Sequence, residues 1–133
     1  MIGGPGPPAV HVLLVDDEEA FVETVAKRLS RMGIESTAAF DGEGALRALE
    51  ESSGIDVVVL DIRMPVMDGL QALARLRQEH GSIPVIILTG QGTVETAIKG
   101  MRLGAFDYLT KPCELETLVD KIQQAARLQR SGR

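Results

Sequence analysis

The sequence predicts an α/β fold, a doubly wound five-stranded parallel sheet, from three observations. Short apolar runs alternate with segments of helical period along the chain, three of those runs are apolar without a break, and polar or acidic residues follow directly at their ends. The 133 residues suit one globular domain, and a hydrophobic share of 44% is enough to bury a real core. Aromatics contribute only 3%, with no Trp, so that core must be aliphatic.

The opening MIGGPGPPAV lacks the basic and apolar regions of a secretory leader, and its Gly and Pro resist regular structure. Residues 1–10 are therefore expected to be a flexible lead-in, 11–129 the folded domain, and 130–133 a polar, basic tail. VLLV at Val12–Val15 is the first strand, and Phe21, Val25 and Leu29 give the next segment its apolar stripe. IESTAA from Ile34 is a weaker second strand, and VVVL at Val57–Leu60 is the third. Leu70, Leu73, Ala74 and Arg77 space a helix after it. VIIL at Val85–Leu88 is followed by Val94, Ala97, Ile98 and Met101, and FDYL at Phe106–Leu109 by Leu115, Leu118, Val119 and Ile122. Helices thus separate all the strands, because each parallel crossover must return to the same end of the sheet.

Interior strands of a parallel sheet are covered on both faces and read as continuous apolar runs. VLLV, VVVL and VIIL do so, whereas the second strand carries Glu35, Ser36 and Thr37 and the fifth contains Asp107. The order 2-1-3-4-5, with both weak strands at the edges, follows. In such a sheet ligands bind at the carboxyl ends of strands one and three, where the winding reverses.

Strand one ends in Asp16 and Asp17, followed by Glu18 and Glu19, and strand three ends in Asp61. The acidic run on its own would serve as a helix start, where anions meet the positive end of the dipole. Asp61 on the adjacent strand turns it into a cluster of like charges that needs a cation, and oxygen ligands without His or thiolate favour Mg2+. Thr89 ends strand four, and Lys111, followed by Pro112, comes after strand five. A hydroxyl and an ammonium aimed at a metal-bound carboxylate are what a phosphoryl group there requires, so Asp61 reads as a nucleophile.

A net charge of −5 argues against nucleic acid as a direct partner. No apolar run approaches the ~18 residues of a membrane helix. The single Cys113 cannot form an internal disulfide, which fits a reducing cytoplasm.

LLVDDEE, VVVLDIRMPVMDG, VIILTGQG and FDYLTKP, in that order, resemble the motifs of bacterial two-component response-regulator receiver domains. The likeness runs from Val12 to about Leu128 and implies a flavodoxin-like fold. It also implies a signalling phospho-acceptor, not an enzyme, in which Asp61 takes a phosphoryl group from a sensor histidine kinase. By position, Asp17, Asp61 and the backbone carbonyl of Arg63 resemble direct Mg2+ ligands, with Asp16 acting through water. Thr89 and Lys111 match the residues that complete the site, and the Lys111–Pro112 bond is often cis in relatives. Thr89 and Tyr108 match the pair through which receivers switch, Thr moving toward the phosphoryl group and the ring following. QGTVETAIKGMRLGAFDYLTKPCELETL is most similar to receivers of AAA+ transcriptional activators, which implies transcription regulation, an output domain or downstream protein, and a homodimer on phosphorylation as partners.

Gly90 stands where many relatives carry Ala, and Gly92, Gly100 and Gly104 lower the expected rigidity of the fourth helix. Arg63 and Gln91 flank the approach to Asp61, and Arg63 is expected to shield the phosphoryl group from water. A haloacid-dehalogenase-like phosphatase is the enzymatic alternative, but its acidic residue two positions after the nucleophile is replaced here by Arg63. A degenerate receiver acting only as an interaction module would have lost an acidic or Lys position, and all are filled. A flavodoxin needs an aromatic residue to stack on its flavin, which TGQGT does not offer.

Overall fold

The computed structural model describes residues 9–63, 69–90 and 92–131. The elements alternate without exception: β1 (His11–Val15), α1 (Glu19–Arg31), β2 (Glu35–Ala39), α2 (Gly42–Glu51), β3 (Val57–Leu60), α3 (Gly69–Glu79), β4 (Val85–Thr89), α4 (Val94–Arg102), β5 (Asp107–Thr110) and α5 (Leu115–Ser131). The five strands form one sheet in the order β2-β1-β3-β4-β5, every pair parallel. The expected topology is the one observed. The strand bounds differ from the sequence reading by about one residue, since Ile34 and Phe106 precede their strands and Thr89 and Thr110 close β4 and β5.

Side chains alternate across the sheet, and each face has its own core. Leu13, Val15, Val58, Leu60 and Ile87 meet Ala45, Leu46 and Leu49 of α2 and Ala72, Leu73 and Leu76 of α3. Val12, Leu14, Val57, Val59, Ile86 and Leu88 meet Val22, Val25 and Leu29 of α1 and Leu118, Val119 and Ile122 of α5. The doubly covered strands β1, β3 and β4 are therefore the continuous apolar runs, as burial on both faces demands.

Helix ends follow local chemistry. Asp41 accepts a hydrogen bond from the Gly44 N–H at 2.7 Å to start α2, and Thr93 and Thr96 form a reciprocal capping box at the start of α4. Gly104, with φ +102°, takes the left-handed turn after α4. At the far end of the sheet, Arg130 of α5 donates to the buried Asp56 carboxylate at 3.0 Å, and Asp56 also accepts the His11 N–H at 3.0 Å. The last turn of α5 is thereby tied to the start of β1 and β3.

α4 departs from expectation. Val94 is 79% exposed, Ile98 and Met101 also face outward, and Gly100 is the residue that meets the sheet. A Cβ on Gly100 would sit 2.5 Å from the Ile87 side chain, so the closest approach of helix and sheet is made where there is no side chain. No helix among the described residues is long and apolar enough to cross a membrane.

Leu60 is fully buried and precedes Asp61 directly. Leu60→Ala is expected to lower the unfolding free energy by about 2–5 kcal/mol, read as a fall in the urea midpoint at unchanged slope.

Candidate functional site

Ladder hydrogen bonds continue past the strand ends and fix the residues that follow. The Asp61 N–H donates to the Val15 carbonyl at 2.9 Å, Asp16 N–H to Ala39 at 3.1 Å, and Lys111 N–H to Thr89 at 2.8 Å. Behind Asp61, the Gly69 N–H donates to the Ile62 carbonyl at 2.8 Å. A Cβ at Gly69 would lie 1.9 Å from the Ile62 Cα, so only glycine allows the two backbones to approach this closely.

Asp16, Asp17, Asp61, Thr89 and Lys111 consequently meet at one edge. Carboxylate oxygens of Asp16, Asp17 and Asp61 lie within 4.8 Å of one another. Asp16 and Asp61 are 4% and 6% exposed and Thr89 is fully buried, whereas Asp17 opens to solvent. The donor set is oxygen throughout, which suits a hard divalent cation.

Lys111 supplies the positive charge. Its Nζ lies 2.6 Å from Asp16 Oδ2, 3.5 Å from Glu18 Oε1 and 3.7 Å from Asp61 Oδ2. It also stands 4.0 Å from the centroid of the Phe21 ring, a cation–π distance. Burial pulls its pKa down, but the Asp16 hydrogen bond and the charges of Asp16, Asp61 and Glu18 together push it up, so the ammonium keeps its proton. The Lys111–Pro112 peptide bond is cis.

Asp61 is poised in the opposite sense. Burial raises its pKa, the Arg63 N–H at 3.0 Å and the Thr89 hydroxyl lower it, Asp16 raises it and Lys111 lowers it, leaving the carboxyl above its ordinary value. The ionised form is costly here chiefly because burial strips it of water, with the charge of Asp16 adding to the cost.

Arg63 is exposed beside the site through its backbone hydrogen bond to Asp61. Gln91 and the segment 64–68 lie outside the described residues. Tyr108 does not join the carboxylates. It pairs with Ile87, two residues before Thr89, and turns its hydroxyl to Thr96 of α4 at 3.1 Å. Two contacts of Lys111, Glu18 and Phe21, were not read from sequence as its partners. Glu18 was visible as part of DDEE, while Phe21 was hidden in the stripe of α1.

A carboxyl whose folded pKa lies above its unfolded pKa binds its proton more tightly when folded, so its contribution to stability falls as pH rises through the folded value. In metal-free buffer, Asp61→Asn is expected to resist urea better than the wild type near neutral pH. That advantage should shrink as pH drops toward the carboxylate range of about 4. Paired urea titrations with a chelator present measure it, and a gap that stays constant contradicts the assignment of Asp61 as a strained charge.

A family model described as the response regulator receiver domain matches residues 12–123. The chain is 40% identical over 119 residues to the regulatory protein AtoC of Escherichia coli (strain K12), covering 90% of this chain and 26% of that protein. It is 42% identical over 123 residues to the probable transcriptional regulatory protein TcrX of Mycobacterium tuberculosis, covering 92% of this chain and 51% of that protein. A response regulator receiver domain from Clostridium thermocellum superposes with a TM-score of 0.88 at 32% identity, covering 93% of this chain and 99% of that one. The chain spans 26% of AtoC and 51% of TcrX, and so corresponds to one part of these longer regulators. With the parallel sheet covered by helices on both faces and the acidic edge beside Lys111, these matches place the chain in the response-regulator receiver family, as a signalling domain homologous to two-component response regulators.

Proposed function

We propose that Asp61 is the phospho-acceptor of this receiver and takes its phosphoryl group from the phosphohistidine of a sensor histidine kinase. The observation that carries the reading is the convergence of three carboxylates within 4.8 Å, with the Lys111 ammonium 3.7 Å from Asp61. An Asp61 carboxylate oxygen forms the new P–O bond as the P–N bond to the kinase imidazole breaks. The departing nitrogen keeps the bonding pair and takes up a proton.

Each neighbouring residue has a task in that transfer. Thr89, already hydrogen-bonded to Asp61, keeps the carboxylate oriented and then donates to a phosphoryl oxygen. Lys111 moves its charge from Asp16 to the phosphoryl group. Asp17, Asp61 and the Arg63 carbonyl would hold Mg2+, with Asp16 through water, and the bound ion supplies the charge that lets one anion approach another. The long guanidinium of Arg63 shields the phosphoryl group from an attacking water.

The site belongs to one folded domain that begins at about residue 11 and includes the last turn of α5, where Arg130 is bonded to Asp56, and it works in the cytoplasm. Output passes to a further domain or downstream protein of the AAA+ transcriptional-activator type, with dimerisation on phosphorylation. The length of AtoC beyond the part matched here supports an attached output module. No observation favours the phosphatase or the phosphorylation-independent reading.

A small-molecule phosphodonor with Mg2+ is expected to add the mass of one phosphoryl group to the intact chain. The addition should vanish in Asp61→Asn and on chelation; labelling that survives either change contradicts the assignment. Hydrolysis of the phosphorylated chain at saturating Mg2+ should be several-fold faster in Arg63→Ala, about the effect of losing one charge-assisted contact. An unchanged or slower rate would remove the shielding role and leave Arg63 a solvent-facing loop residue.

A further inference from the structure

The side of Tyr108 that faces α4 is enclosed by residues that the transfer chemistry does not use. Tyr108 lies opposite Ile87 on the sheet face covered by α4. Its hydroxyl is 3.1 Å from Thr96 Oγ1, in the first turn of that helix. A Cβ on Gly92 would fall 1.9 Å from the Tyr108 hydroxyl oxygen and 2.8 Å from Cζ, and one on Gly100 would fall 3.9 Å from Cδ2. Position 92 must be glycine for the ring to rest where it does.

The hydroxyl of Thr96 has one hydrogen and two lone pairs. In the cap it accepts the Thr93 N–H at 2.9 Å and lies 3.0 Å from the Thr93 carbonyl, to which it can donate. The Tyr108 hydroxyl at 3.1 Å and Thr93 Oγ1 at 3.2 Å share what remains of its hydrogen-bonding capacity, and either oxygen of the Thr96–Tyr108 pair can be the donor. The same oxygen therefore closes the capping box of α4 and holds the ring.

We propose that Thr96 is a positioning residue for the switch: with Gly92 as the open seat, its hydroxyl holds Tyr108 against α4 in the unphosphorylated state. Moving the ring toward Thr89 breaks this bond and releases the capped first turn of α4 from β5. The latch thus biases the domain against its phosphorylated arrangement. This rests on the reading of Asp61 as phospho-acceptor and of Thr89 with Tyr108 as the switching pair.

The test measures binding of beryllofluoride with Mg2+, a phosphoryl analogue, to the full chain by calorimetry. Removing a bond made only in the resting state should tighten binding, and a neutral hydrogen bond corresponds to about two- to tenfold. Tyr108→Phe, which leaves the capping box intact, and Thr96→Val should each show that gain. Thr96→Ser, which keeps the hydroxyl, should match the wild type. The double variant Tyr108→Phe with Thr96→Val should bind no more tightly than either single one. Gly92→Ala, closing the seat from the other side, should also tighten binding. A purely structural role for Thr96 would leave affinity unchanged or weaken it, and that result in Tyr108→Phe and Thr96→Val overturns the latch. Equal tightening in Thr96→Ser overturns it as well. Failure of the underlying reading looks different: the wild type would bind no analogue, or Asp61→Asn would bind it equally well.

Discussion

Asp16, Asp17 and Asp61 bring carboxylate oxygens within 4.8 Å of one another at the end of a parallel sheet, and the Lys111 ammonium is what holds that arrangement together. Like charges at such separations repel, most strongly where burial removes water. The backbone cannot move apart to relieve this, because ladder bonds to Val15, Ala39 and Thr89 fix the strand ends on which the charges sit. The apolar cores on both faces make the sheet rigid enough to impose the crowding. The domain therefore stores an unmet demand for positive charge at the proposed phospho-acceptor and its proposed cation site.

Lys111 satisfies that demand only in part, which suits it to a transfer between partners. It is closest to Asp16, farther from Asp61, and rests on the Phe21 ring, a weakly attractive surface that does not compete as a carboxylate would. The backbone of the same residue bonds to Thr89, whose hydroxyl is on Asp61. Two residues before Thr89 and three before Lys111, Ile87 and Tyr108 face each other, and Tyr108 reaches Thr96 on α4. A short physical path thus joins the acidic edge to the first turn of α4, carried by side chains with alternative partners.

Much of this was legible in the sequence, and what was hidden shares a cause. VLLV, VVVL and VIIL betrayed the inner strands because burial on both faces leaves no room for a polar residue. The residues just beyond them then had to meet at one edge. The apolar spacing of Val94, Ile98 and Met101 identified α4 but not the side it presents, since Gly100, invisible to any count of hydrophobic residues, sets the contact with Ile87. Gly92 and Gly100 suggested a loose helix from sequence, yet both lie where a neighbouring side chain comes too close for a Cβ. Glu18, Phe21 and Thr96 escaped notice as partners of Lys111 and Tyr108, because each pairing joins residues remote in sequence and has no periodic signal.

The central claim is that Lys111 is a charge held in waiting beside Asp61. A crystal structure of the chain with Mg2+ and beryllofluoride tests it directly. The account predicts the analogue on Asp61, with Lys111 Nζ bonded to it and withdrawn from the 2.6 Å contact with Asp16. An analogue bound to another carboxylate, or a Lys111 that stays on Asp16 with the analogue in place, would contradict it.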